Sequence, residues 1–190
     1  MRICTVILKS TTPYSSSKMV DQEDFPKKEK ESHEEYDERM WIEKATYDPE
    51  GNICIPAMAL KFSVDEAAKR LRIKIPGKGQ STYSKLFVSG QICDGDVSLG
   101  IKKQAVEMIK IWANADGVRG SGKRVKRRFP YVKAWQATAR FLLLDDEIPS
   151  SIFERALVES GRLIGIGRFR PEKGGLLGRF SVEKTIWSDA

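Results

Sequence analysis

The order of its segments predicts that this 190-residue chain has an α+β fold of the ferredoxin-like (RRM-like) class, with two helices on one face of an antiparallel sheet. Three observations support this prediction. A β-branched run opens the chain, a helix and further strand-like pieces complete the first half, and the second half again reads strand, helix and strand. Because this length suffices for one core, we expect a single domain over residues 1–190.

The first half begins with a strand and a long insertion. Residues 2–9 are rich in β-branched side chains and predict a central strand of the sheet. Residues 10–40 are polar and lack periodicity, so we expect a mobile insertion. Residues 41–46 and 53–55 then predict a small hairpin, since turn-forming residues separate them.

A first helix is predicted at about 57–71, because its apolar residues recur on one helical face. These residues are Leu60, Val64, Ala67, Ala68 and Leu71. Strand-like pieces follow around 86–88 and 108–112. The pairing of these two pieces does not follow from the sequence.

The second half begins with a basic loop predicted at 114–130. Residues 135–144 alternate between apolar and polar side chains, which predicts a half-buried strand. Pro149 then opens a helix that ends near Gly161. A glycine-rich stretch at 161–180 leads into the closing strand, predicted at 179–187.

The charge of the chain is unevenly distributed. There are 33 Lys and Arg residues against 26 Asp and Glu, a net charge of +7. Acidic residues are concentrated at 21–50, whereas 117–179 is strongly basic. This asymmetry predicts a polyanionic partner for the second half.

Two sets of cations predict where a nucleic acid binds. Glycine lets another molecule approach the backbone, and arginine donors suit phosphate. Aromatic residues among the cations add faces on which bases stack, which is how single strands are held without sequence readout. The first set, in the basic loop, is Arg119, Lys123, Arg124, Lys126, Arg127 and Arg128. The second, in the glycine-rich stretch, is Arg168, Phe169, Arg170, Lys173 and Arg179.

Neither glycine-containing segment has a complete nucleotide-binding motif. Gly117, Gly122 and Lys123 have the spacing of a phosphate-binding loop, but Arg124 stands where Ser or Thr would hold magnesium. The two glycines at 165 and 167 match the start of a dinucleotide-binding fingerprint, but the residues after them do not match the rest of it. We therefore expect no nucleotide cofactor.

Catalytic and metal-binding residues are also not predicted. The single histidine, His33, lies in the polar insertion among carboxylates, where a histidine is ordinarily solvated. Three carboxylate groups could hold a metal, namely Asp21 with Asp24, Asp94 with Asp96, and residues 145–147, but the last two groups lie at turns, where Asp is locally favoured. We expect no catalytic residue, no metal and no cofactor.

The cysteines and the hydropathy bear on cellular location. Cys4, Cys54 and Cys93 have no metal-ligand spacing and no disulfide pattern, so we expect buried thiols in a reducing compartment. No stretch approaches the roughly 20 apolar residues of a membrane span, and the apolar start of the chain is short for a signal peptide. We expect a cytoplasmic protein.

The order of features resembles the RAMP superfamily, and within it the backbone subunits that line guide RNA in CRISPR effector complexes. The matching pieces are the first strand with residues 12–15, the long insertion, residues 53–61 before a helix, and the glycine-rich stretch. The family segment similar to 55–61 reads Ile-Pro-Gly-Ser-Ser-Leu-Lys, and here the Gly and both Ser are replaced by Ala57, Met58 and Ala59.

The resemblance implies roles for three parts of the chain. Lys61 would face RNA phosphate, residues 165–178 would be the family's glycine loop, and 114–130 would correspond to its thumb. With the charge pattern, this predicts a non-enzymatic protein that binds single-stranded nucleic acid, RNA rather than DNA, and assembles side by side along the strand. The chain could be a minimal or virus-borne relative of these subunits. The alternative functions are a RAMP-type endoribonuclease and an inhibitor or mimic of a CRISPR-like complex.

Overall fold

The computed structural model describes residues 1–115 and 122–189. The described residues form ten strands, which are β1 (Arg2–Ser10), β2 (Tyr14–Ser15), β3 (Thr46–Tyr47), β4 (Asn52–Ile55), β5 (Gln91–Cys93), β6 (Val97–Lys102), β7 (Glu107–Asn114), β8 (Arg124–Val132), β9 (Gln136–Leu143) and β10 (Phe180–Asp189). They also form four α-helices, which are α1 (His33–Met40), α2 (Ala57–Leu71), α3 (Ser84–Gly90) and α4 (Ser150–Glu159). The α+β class is confirmed.

Three antiparallel sheets organise these elements. The largest has the strand order β10-β1-β9-β5, so β1 is an interior strand as predicted. Two smaller sheets have the orders β2-β8-β7 and β3-β4-β6. The second small sheet contains the predicted hairpin, in which β3 pairs with β4.

The core lies on one face of the largest sheet. Alternate residues of β1 and β9 are buried there, for example Val6 and Phe141. Helix α2 contributes Leu60, and α4 contributes Phe153, whose ring centroid is 5.3 Å from that of Phe141. The periodicities that predicted α2, β9 and α4 are therefore the burial patterns of this core.

Two predicted strand segments are wrong. Residues 86–88 belong to helix α3, where Leu86 and Phe87 donate backbone hydrogen bonds to the carbonyl of Tyr83. A run of three apolar residues fits a buried helix as well as a strand, and only Phe87 of the three is fully buried. Residues 41–44 form a 3₁₀ turn, so the first strand of the small hairpin is limited to Thr46–Tyr47.

The insertion at 10–40 contains regular structure. Strand β2 pairs with β8, and helix α1 begins at a capping box in which Ser32 and Glu35 each accept the other's backbone N–H. The sequence of α1 is mostly charged and has little apolar periodicity. The helix contacts β8 through ion pairs, such as that between Glu38 and Arg128.

The segment predicted as a basic loop is largely a strand. Residues 124–130 belong to β8, which pairs with β7 from Arg124 to Tyr131, and we call the two strands the basic hairpin. Alternation of charged residues with Val125, Phe129 and Tyr131 accounts for the strand. Arg119, which was predicted with this segment, lies outside the described residues. In the part of the chain that the structure describes, no helix is long and apolar enough to cross a membrane.

Candidate nucleic-acid interface

An open groove of about 880 Å³ lies between the basic hairpin, the segment after β2 and the glycine loop, residues 165–178. Cations line it from all three segments, and aromatic side chains lie among them. The cations are Lys18, Arg124, Arg168, Arg170 and Lys173, and the aromatic residues are Tyr14, Trp112 and Phe169. Of the two basic sets predicted from the sequence, Arg124 from the first and Arg168, Phe169, Arg170 and Lys173 from the second line this groove.

The glycine loop is fixed to the segment around β2 by backbone hydrogen bonds. The Arg168 N–H donates to the Ser15 carbonyl at 2.8 Å, and the Gly178 N–H donates to the Pro13 carbonyl at 2.7 Å. Gly167 has a φ of +73°, and a Cβ there would lie 2.3 Å from the Ser15 oxygen. Glycine is required at this position because the two backbones approach so closely.

Arg168 lines the groove on the glycine-loop wall, between two aromatic rings. Its guanidinium carbon is 4.1 Å from the ring centroid of Phe129 and 4.8 Å from that of Phe169, and its Nη1 donates to Ser17 Oγ at 3.0 Å. Burial lowers the pKa of Arg168, and the nearby charge of Arg127 acts in the same direction. Its buried Nε has no hydrogen-bond partner among the described residues.

Arg170 and Lys173 both form ion pairs with the carboxylate of Glu172. Arg170 Nε is 2.8 Å and Lys173 Nζ is 3.0 Å from opposite oxygens of Glu172. These two groove cations are therefore already partly neutralised. Arg179, predicted with them, donates instead to the carbonyl of Arg162 at 3.1 Å and does not line the groove.

On the hairpin, the first residues of β8 include exposed cations. Arg124 donates to the Trp112 carbonyl at 3.1 Å, and Lys126 Nζ is 5.5 Å from the centroid of the Trp112 ring. Lys123, also predicted, is exposed immediately before this strand, and neither it nor Lys126 is among the residues that line the groove. Cations beside an aromatic ring suit a single strand, because the cations bind its phosphates and the ring stacks on an unpaired base.

Arg127 and Arg128 instead contact helix α1, contrary to the predicted phosphate contacts. Asp37 of α1 is 3% exposed and accepts the backbone N–H of Arg128 at 2.8 Å, while Arg127 Nη1 is 3.5 Å from it. Arg128 is buried and its Nη2 is 3.0 Å from Glu38. Lys44 completes the cluster at 2.5 Å from Asp37.

Lys61 also lies in a buried ion pair, which argues against the phosphate contact that the resemblance implied. Its ammonium pairs with Asp65 one turn later on α2 and donates to the Val88 carbonyl at 2.7 Å. Burial beneath α3 therefore removes it from the groove.

Sequence reasoning missed Trp112 and Lys18. Trp112 is 56% exposed, which is unusual for so large an apolar side chain, and it lies directly opposite Lys126 in the register of the hairpin. Trp112 lies in the strand-like piece just before the basic segment, and this position was the one sign in the sequence of a nucleic-acid contact. Nothing in its surroundings distinguished Lys18 in the sequence.

The candidates for catalysis stay apart from the groove. His33 is exposed in the first turn of α1, and it is not among the residues that line the groove. The three cysteines are buried as free thiols. Across residues 1–115 and 122–189 there is no group of three or more His, Cys, Asp or Glu side chains that could hold a metal ion.

Comparison with known proteins gives a structural likeness alone. No family model matches the sequence, and no curated protein matches it. Among solved structures, the fold is similar to a chain in the cryo-EM structure of a Type III-B Cmr-beta bound to cognate target RNA, with a TM-score of 0.56 and 12% identity. The match covers 98% of this chain and 60% of that chain. At this identity the likeness shows the fold and nothing finer.

Proposed function

We propose that the protein is a non-enzymatic, RAMP-type protein that binds single-stranded RNA in the groove between the basic hairpin and the glycine loop. The observation that carries this proposal is the placement of cations and aromatic rings together on facing walls. Arg124 and Trp112 lie on the hairpin wall, while Arg168 and Lys173 lie on the glycine-loop wall. Such a groove neutralises phosphates and offers ring faces to unpaired bases.

The topology of the largest sheet supports the RAMP assignment. The strand order β10-β1-β9-β5, with α2 between β1 and β5 and α4 between β9 and β10, is what two interleaved strand-helix-strand units produce. We propose that this sheet is the ferredoxin-like unit and that the other two sheets are insertions into it. The similar chain is part of a Cmr-beta bound to target RNA, which favours RNA over DNA.

We also propose that copies of the chain assemble side by side along the strand. The expected result is that the number of bound chains rises stepwise with RNA length, as measured by analytical ultracentrifugation. One chain bound per RNA at every length would contradict this assembly.

The binding proposal is tested by titrating RNA at several salt concentrations. If all five lining cations contact phosphates, log affinity falls with log salt at a slope of about −3.5, and if the two that share Glu172 do not, the slope is about −2. Duplex RNA of the same sequence serves as the control and is expected to bind more weakly. Affinity independent of salt would contradict the proposal.

The endoribonuclease remains the competing function within the same superfamily. We expect labelled RNA to remain intact after incubation with the protein, with and without magnesium. Cleavage that disappears in His33→Ala or Asp24→Ala variants would overturn the non-enzymatic assignment.

A further inference from the structure

A second cavity, of about 350 Å³, lies between helix α2 and the glycine loop. It adjoins the groove, because Ala59, Gly167, Arg170 and Lys173 line both. A strand leaving the groove over this shared rim therefore meets the second cavity next. Its volume is at the lower end of the range of small-ligand pockets, roughly 300–1,000 Å³.

The charges around this cavity differ from those of the groove. Two carboxylates, Glu66 and Glu172, line it together with two cations, Arg170 and Lys173, both of which pair with Glu172, while Glu66 pairs with Lys69 outside the lining. Because the signs balance, the cavity does not favour a phosphate. It does offer both hydrogen-bond donors and acceptors, which suits the edge of an uncharged heterocycle.

One wall of the cavity is an exposed aromatic ring. Phe62 on α2 is 55% exposed although its neighbours Leu60 and Val64 are fully buried. The ammonium of Lys61 is 5.8 Å from the centroid of the Phe62 ring. An exposed ring beside polar groups of both kinds is the combination that binds an unpaired base.

We propose that this cavity is a nucleobase site, in which a base of the bound RNA stacks on Phe62 while Glu66, Glu172 and Arg170 contact its edge. The inference rests on the proposed function and extends it, because it assigns a base contact outside the phosphate-binding groove. It also gives α2 a role in RNA binding that does not depend on Lys61.

The test compares Phe62→Ala, Phe62→Tyr and Met58→Ala by fluorescence anisotropy with labelled single-stranded RNA. Met58 is the matched control, since it lies one turn earlier on α2, is also 55% exposed and does not line the cavity. Phe62→Ala is expected to weaken binding about 5- to 150-fold, the range for loss of one stacked base. The salt slope should stay the same because no phosphate contact is lost. Phe62→Tyr and Met58→Ala should bind like the unaltered protein.

An abasic sugar-phosphate strand separates base stacking from other contacts. It is expected to bind the unaltered protein and Phe62→Ala equally. Equal binding of base-containing RNA by both proteins, or weaker binding of the abasic strand by Phe62→Ala, would overturn the base site while leaving the groove intact. Salt-independent binding by the unaltered protein would instead overturn the proposed function and the base site together.

Discussion

Replacing Asp37 with Ala is expected to lower the free energy of unfolding by about 3–5 kcal/mol, because it leaves buried cations without their shared partner. Asp37 is 3% exposed and lies 2.5 Å from Lys44, whose own pKa is lowered mainly by burial. It also accepts the backbone N–H of Arg128. Without this carboxylate, α1 and the 3₁₀ turn keep only the contacts of Glu38 with Arg128 and of Lys44 with the Arg128 carbonyl among their close polar links to β8. Urea unfolding followed by circular dichroism measures the change.

The control for this prediction is Glu34→Ala on the same helix. The Glu34 side chain is 66% exposed and its carboxylate is 3.9 Å from Arg128, so its loss is expected to cost less than about 1 kcal/mol. If both variants change the free energy of unfolding by the same small amount, the ion pairs around Asp37 do not attach residues 10–40 to the basic hairpin.

Gly167→Ala is expected to lower the free energy of unfolding by about 2–5 kcal/mol and to weaken RNA binding. The added Cβ would lie 2.3 Å from the Ser15 carbonyl oxygen and 2.6 Å from the buried ring of Tyr14, neither of which is free to move. Overpacking of this kind costs about 1–3 kcal/mol, and a φ of +73° costs an alanine about 1–2 kcal/mol more. Because the next residue is Arg168, this lining cation is expected to shift with the loop.

Gly77→Ala is the matched control, since Gly77 also has a φ of +73° but no atom lies within 4 Å of the place that a Cβ would occupy. Only the backbone cost of about 1–2 kcal/mol is expected there, with RNA affinity unchanged. Equal losses of stability in both variants would show that the glycine loop is not packed tightly against Ser15.

Periodicity was sufficient to predict the elements that form the core. The helix predicted at 57–71 is observed as Ala57–Leu71, and the strand predicted at 135–144 is observed as Gln136–Leu143. Both present one continuous apolar face, which is a strong local signal. Residues 86–88 had no such signal, because a short apolar run does not distinguish a helix from a strand.

The roles of individual cations were harder to predict, because they depend on partners that are remote in the sequence. Arg124 and Arg128 look alike in the sequence, yet Arg128 meets Asp37, which is 91 residues away along the chain. Lys61 was different, since Asp65 lies four residues later on the same predicted helix. That spacing is typical of an ion pair and was a readable sign that Lys61 is occupied.

The central claim is that phosphates of a single strand lie in the groove, and the salt titration of two paired variants tests it most directly. Lys18→Ala with Arg124→Ala removes two exposed cations that line the groove, whereas Arg70→Ala with Lys74→Ala removes two exposed cations elsewhere. The first pair is expected to make the slope of log affinity against log salt shallower by about 1.4, and the second pair to leave it unchanged. Equal changes of slope in the two pairs, or no change in either, would contradict the claim.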